Sequence, residues 1–189
     1  LLLAGDLYDK STPSAEATAL LDHFLTEAVS DGLKVFAIPG NHDSAERVAY
    51  ARQMLQQTGV HVAPDYDGEI TKITATDQYG PLNIWLMPFV KPANVRAYFP
   101  NETINTYTDA MRIIIDTADI TEDERNIILA HQFVVSGVTE PERSDSELNI
   151  GGLDSVDSSV FDVFDYVALG HIHRPQRIGR DACRYSGSL

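Results

Sequence analysis

Residues 168–176 read ALGHIHRPQ, which places His171 and His173 two apart behind a short apolar run and a glycine. A pair of imidazoles is a metal site only if other donors join it. They are supplied by a recurring pattern: LLLAGD ends at Asp6, VFAIPGNHD ends at Asn41, His42 and Asp43, and NIILAH ends at His131. Imidazole nitrogen with carboxylate and amide oxygen suits manganese, iron or zinc, and the lack of thiolates argues against a structural zinc site. A carboxylate such as Asp6 can bridge two ions. If residues 171–173 are extended, His171 and His173 share a face and can serve neighbouring ions about 3.5–4 Å apart. Paired ions activate a water, align it and neutralise charge on a phosphoryl transition state. Phosphate esters need this help because their uncatalysed hydrolysis is extremely slow. His42, beside the candidate ligand Asn41, is the natural general acid for the leaving oxygen.

Positioning these residues requires strands that end on one rim. Residues 1–4, 33–38, 126–131 and 165–169 are apolar runs of the kind expected for buried strands. In open α/β sheets, sites lie beyond the carboxyl ends of such strands. Gly5, Gly40 and Gly170 adjoin the candidate residues and permit sharp turns and close approach. Residues 14–30 read as a helix whose apolar face is Ala17, Leu20, Leu21, Phe24 and Ala28. Ser44 is placed to start a second helix running to about Gln57, and 106–118 reads as a third. VHV at 60–62 is a short strand, which makes His61 a packing residue, while His23 falls on the solvated side of the first helix. Residues 69–75 and 82–89 read as two strands across a turn near DQYG, and ACRYS as a late strand. The polar segment 132–155 is predicted to be a long functional or mobile loop. Helices and strands alternate early and short strands dominate later, which predicts a layered α/β sandwich.

The chain has 189 residues, one cysteine and a formal net charge of −14. That length fits a single domain. Cys183 cannot form an internal disulfide and suits a reducing compartment, so a cytoplasmic location is expected; its apolar–polar surroundings predict a packed strand thiol. No apolar run reaches the roughly 20 residues needed to span a bilayer, so no membrane role is expected, and no signal peptide is visible. The net charge disfavours unspecific binding to nucleic acid. Locally the balance is basic, with Arg174, Arg177, Arg180 and Arg184 against Asp181.

Taken together and in this order, GDLYD, GNHD, LAH and GHIH resemble the motifs of the calcineurin-like metallophosphoesterases. Further stretches are similar to the nuclease subunits of bacterial SbcCD complexes: GDLYDKSTPS, IPGNHDSAERV, IGGLDSVDSSVFDVFDYVALGHIHRPQ and RYSGSL. The resemblance covers nearly the whole chain. It implies an α/β/β/α sandwich and two divalent ions, with Mn2+ expected. By it Asp6 bridges both ions, Asn41, His131 and His171 complete the second, His173 binds the first, and His42 is catalytic. It implies 3′-to-5′ exonuclease activity on double strands and endonuclease activity on hairpins and single strands, in DNA repair and recombination. The implied partners are DNA and an SbcC-type ATPase, and a homodimer is compatible with it. Asp9 stands where some relatives carry histidine; a turn-forming or capping role is an equal reading. Two family features are not in the sequence: the opening D-x-H motif, expected upstream of Leu1, and the capping and partner-binding region expected after YSGSL. The chain is therefore expected to be a nuclease core, 1–189, cut at both ends.

Two other readings remain at this level. One is a phosphodiesterase or phosphatase of the same superfamily acting on a small molecule. The other is a non-catalytic scaffold that uses the fold to bind proteins; the joint presence of Asp6, Asn41, His42, His131, His171 and His173 argues against it.

Overall fold

The apolar runs become the inner strands of two facing sheets in the computed structural model, which describes residues 1–121, 123–142 and 154–188. The smaller sheet holds β1 (Leu2–Ala4), β2 (Val35–Ile38) and β3 (Val60–Val62), all parallel, in the order β1-β2-β3. The larger sheet contains β4 (Thr71–Asp77), β5 (Gly80–Met87), β6 (Arg125–Ala130), β9 (Tyr166–Leu169), β10 (Gln176–Ile178) and β11 (Arg180–Tyr185), in the order β10-β11-β9-β6-β5-β4. Its four central strands are parallel, and antiparallel partners close both edges. A separate parallel pair joins β7 (Phe133–Val135) to β8 (Ser155–Asp157).

Strand periodicity sorts each run between two cores. Phe36 and Ile38 of β2 meet Ile84, Leu86 and Leu129 between the sheets. Val35 and Ala37, one residue out of phase, face the opposite way and pack with Leu25, Ala28 and Val29 of α1 (Ala15–Ser30). Trp85, Met87, Ile128, Val167 and Leu169 cover the far side of the larger sheet, against Val95 of α4 (Pro92–Arg96) and Met111, Ile114 and Ile115 of α5 (Tyr107–Thr117). The layers are therefore helix, sheet, sheet, helix, the mixed α/β sandwich anticipated. Because both faces of β2 and most of β6 are buried, those runs read as continuous apolar stretches, whereas β11 alternates between buried and exposed positions.

Several local readings change. Of the expected face of α1, Ala28 is buried and Ala17 and Leu21 are half-buried, but Leu20 and Phe24 are 69% and 39% exposed; Leu25 and Val29 join Ala28 in the docking stripe instead. Both stripes are apolar, and contact with the sheet chooses between them. The helix expected to run unbroken from Ser44 is two short ones, α2 (Ala45–Val48) and α3 (Arg52–Gln56), parted at Ala51 with φ 58°. Nothing local marks this break, since alanine favours helix. The expected loop 132–155 contains β7 and the start of β8; its residues 143–153 lie outside the described residues. His61 stacks on Phe36, with ring centroids 5.1 Å apart. Cys183 is buried in β11, and burial pushes its thiol up to about 11.

A buried polar cluster holds register inside this apolar frame. Trp85 Nε1 donates to Asn126 Oδ1 at 2.9 Å, and the Asn126 amide donates to the carbonyls of Thr121 and Glu124, both at 2.8 Å. Asn83 Nδ2 donates to Glu124 Oε2 at 2.6 Å, and Asn83 Oδ1 accepts from Thr74 at 2.8 Å. Asn83 and Asn126 are each 1% exposed, and such groups are tolerated only when satisfied.

Candidate metal centre

β1 and β2 of one sheet and β6 and β9 of the other end on the same rim. Their exits carry Asp6, Asn41, His131 and His171. The backbone turns at once: Gly5 has φ +88°, Asp6 φ 50° and His171 φ 91°. Positive φ is uncommon for residues with side chains and clusters at functional sites.

His131 is fully buried. Its Nδ1 lies 2.7 Å from the carbonyl oxygen of Ala4. A carbonyl only accepts, so Nδ1 carries the proton and donates. The neutral ring then directs its Nε2 lone pair at Asn41 Oδ1, 3.0 Å away, and Asp6 Oδ2, 3.1 Å away. Asn41 Oδ1 also lies 2.9 Å from His171 Nδ1. Oxygen and nitrogen donor atoms of Asp6, Asn41, His131 and His171 thus converge on one point, as a cation site requires. Donor atoms of Asp6, His131 and His171 all lie within 4.8 Å of one another. The donor set is nitrogen and oxygen without sulfur, which fits a divalent transition ion. The Ala4 carbonyl fixes the His131 tautomer, as outer partners do for imidazoles that bind metals.

Asp6 is held on both oxygens. Oδ1 accepts the amide of His42 at 2.9 Å, and Oδ2 faces His131. Burial by itself raises the Asp6 pKa, but the His131 hydrogen bond and charge, with the His42 amide, outweigh it and hold the carboxyl below 3.8.

Glycine is required by space at three positions, and at Gly5 by backbone angle as well. A Cβ on Gly40 would lie 2.2 Å from Asp6 Oδ1, one on Gly5 2.2 Å from His131 Nδ1, and one on Gly170 1.8 Å from the Ala4 oxygen. The three glycines let the two sheets meet at the rim.

Asp43 was grouped with Asn41 and His42 in the sequence but given no role. Its Oδ2 accepts from the amides of Leu7 and Gly40, at 3.0 and 2.9 Å, and its Oδ1 from Tyr8 at 2.9 Å. It ties the loop after β1 to the loop after β2. The available signal was the readiness of aspartate to accept backbone amides in turns.

The remaining predicted residues stand at the edge. His42 is exposed, and its Nδ1 lies 3.1 Å from the main-chain oxygen of Asp9. Asp9 thus meets His42 through its backbone, while its carboxylate lies 3.8 Å from Lys10 Nζ. His173 is exposed and outside the group formed by Asp6, His131 and His171. The condition under which His171 and His173 would share a face, an extended 171–173, is not met, because His171 has a left-handed φ of 91°.

The arginine cluster is engaged within the fold. Arg174 pairs with Glu142 and Arg177 with Asp181. Arg180 donates to the carbonyls of Phe161 and Phe164, and Arg184 Nε to the Asp181 carbonyl at 2.8 Å. Arg180 also lies 3.9 Å from a carboxylate oxygen of Asp162, so three of the four arginines have an acid within reach and the local positive balance is reduced. Among the described residues, no helix is long and apolar enough to cross a membrane.

The donor set at four strand ends, the parallel layers behind it and the glycine-lined rim agree with one further finding. The family model for the calcineurin-like phosphoesterases matches residues 1–175, and the chain belongs to that family of metal-dependent phosphoester hydrolases.

Proposed function

We propose that this protein is a Mn2+-dependent DNA nuclease subunit that hydrolyses phosphodiesters with two metal ions and works with an SbcC-type ATPase. The observation that carries the hydrolytic centre is the convergence of donor atoms of Asp6, Asn41 and His131, with His131 Nε2 at 3.0 and 3.1 Å from the two oxygens. Support for DNA as the substrate is the resemblance of GDLYDKSTPS, IPGNHDSAERV and RYSGSL to SbcCD nuclease subunits. Asp6, Asn41, His131 and His171 would hold one ion, and Asp6 and His173 would contribute to a second. The bound ions supply an activated water and charge neutralisation at the phosphoryl group. Asp6 positions the next residue through the His42 amide. His42 Nδ1 donates to the Asp9 carbonyl at 3.1 Å, so the ring delivers a proton to the leaving oxygen only from the imidazolium form, in which Nε2 carries a second proton.

A second reading is favoured by one observation. The net charge is −14 and the arginines near the rim are paired, whereas specific DNA interfaces are strongly positive. A small phosphodiester would need no basic track. Under the leading reading, most of the DNA affinity comes from the partner and from contacts other than these arginines. Assay with Mn2+ on linear duplex, hairpin DNA and a small chromogenic diester separates the two. DNA cleavage that rises with an SbcC-type partner supports the nuclease, and rapid hydrolysis of the small ester with intact DNA refutes it.

A further inference from the structure

We infer that Tyr185 is a positioning residue that sets His131 against His171, through its hydroxyl group. The inference rests on the metal-centre reading above. Tyr185 ends β11 and is 2% exposed. Its hydroxyl accepts the Val134 amide at 2.6 Å and donates to the Gln132 carbonyl at 3.0 Å. Those two groups belong to the segment that leaves the larger sheet directly after His131 and crosses to β7. Gln132 and Val134 are both fully buried, so water cannot replace the hydroxyl. One side chain thus serves a carbonyl and an amide that the strand ladder no longer pairs.

The same residue is in register with the second histidine. Tyr185 pairs with Leu169, and the amide of Ser186 donates to the Leu169 carbonyl at 3.2 Å. Leu169 is two residues before His171. The Gly170 amide in turn donates to Ala130 at 3.0 Å. Tyr185 is therefore bonded through its hydroxyl to the segment that follows His131, and it stands in register beside the strand exit that carries His171, to which the next residue, Ser186, is bonded through its amide. The Gln132 side chain adds a tether, Nε2 donating to the Val90 carbonyl at 3.1 Å. Removing the hydroxyl leaves two buried main-chain groups seeking partners, and the His131 segment can satisfy them only by moving. His131 Nε2 has two oxygens at 3.0 and 3.1 Å to keep, so a small shift is felt at the metal.

The test is Tyr185→Phe, with Tyr66→Phe as a comparator. Tyr66 is also buried, and its hydroxyl donates to the Gly68 carbonyl at 3.0 Å, within a loop before β4. Three quantities are measured: melting temperature, Mn2+ affinity by calorimetry, and exchange of the His131 Nδ1 proton by NMR in metal-free protein. Tyr185→Phe should weaken Mn2+ binding about tenfold or more, as for outer partners of metal ligands, and speed exchange of the ring proton by a similar factor. Tyr66→Phe should lower the melting temperature and change neither. A Tyr185→Phe protein that melts earlier, with Mn2+ affinity and proton exchange within twofold of wild type, would overturn the inference. If wild type takes up no Mn2+, the metal reading fails, and the proton exchange still decides whether Tyr185 holds His131. Should Tyr185→Phe not fold, 4-aminophenylalanine at 185 keeps the ring and replaces only the hydroxyl, retaining a donor for Gln132 but weakening the acceptor for Val134, with the same readouts.

Discussion

Gly170→Ala should damage this protein far more than a methyl group elsewhere in it. Gly170 does not occupy the left-handed region, so alanine meets no backbone strain there. Its cost is purely one of space. The new Cβ would lie 1.8 Å from the Ala4 oxygen and 2.8 Å from both the Ala4 carbonyl carbon and His131 Nδ1. Real Cβ contacts stay beyond 3.0 Å, so the backbone must open by at least 1.2 Å (3.0 minus 1.8). The obstacle is main chain on β1, facing β9 from the other sheet, and it cannot rotate away. Overpacking of this kind costs about 1–3 kcal/mol. The displaced carbonyl is also the acceptor for His131 Nδ1, and a buried group that loses its partner costs about 1–3 kcal/mol more. A total near 4 kcal/mol corresponds to a fall in melting temperature of about 8–16 °C for a domain of this size. Thermal unfolding followed by circular dichroism, with and without Mn2+, is the assay. The metal-dependent rise in melting temperature should shrink as well, because His131 loses its orientation. A variant that melts within 2 °C of wild type and keeps the full Mn2+ effect would show that the two sheets are not in contact at this point.

Further outcomes are expected elsewhere. His42→Ala should lose turnover by roughly 10²–10⁴-fold, the range for a missing general acid, with Mn2+ affinity unchanged; loss of metal binding would instead make His42 a ligand. Asp6 has a folded pKa below its ordinary 3.8, so its contribution to metal-free stability is present above pH 3.8 and disappears as pH falls through the folded value. Acid denaturation of the metal-free protein should accordingly flatten below pH 4 in Asp6→Asn, and an unchanged curve would contradict the Asp6–His131 pairing. Asn126→Ala strands the indole N–H of Trp85 and two main-chain carbonyls, and should cost about 2–4 kcal/mol in urea unfolding; a cost under 0.5 kcal/mol would mean the cluster does not hold the strands.

The chemistry was legible because it is local. Asp6, Asn41, His131 and His171 each follow an apolar run by one to three residues, and parallel strands whose exits share a rim bring such ends together whatever the intervening chain does. The layer order was legible for a related reason: runs apolar at every position must be covered on both faces. The short strands β7 and β10 were not, since three residues carry little periodicity. Nor was the docking stripe of α1, where Leu20 and Phe24 are as apolar as Leu25 and Val29 and only the sheet decides between them. The arginines near GHIH looked like a basic patch because sequence adjacency records charge and not pairing; Arg180 is spent on carbonyls 16 and 19 residues away. The tertiary structure alone decided what holds the histidines. His131 takes its tautomer from Ala4, 127 residues earlier, and its following segment is bonded by Tyr185, more than 50 residues later. A strand-end motif states which side chain is available, but the groups that orient it come from whichever strands pair beside it. That pairing depends on contacts far apart in the chain, with no local signature at either end.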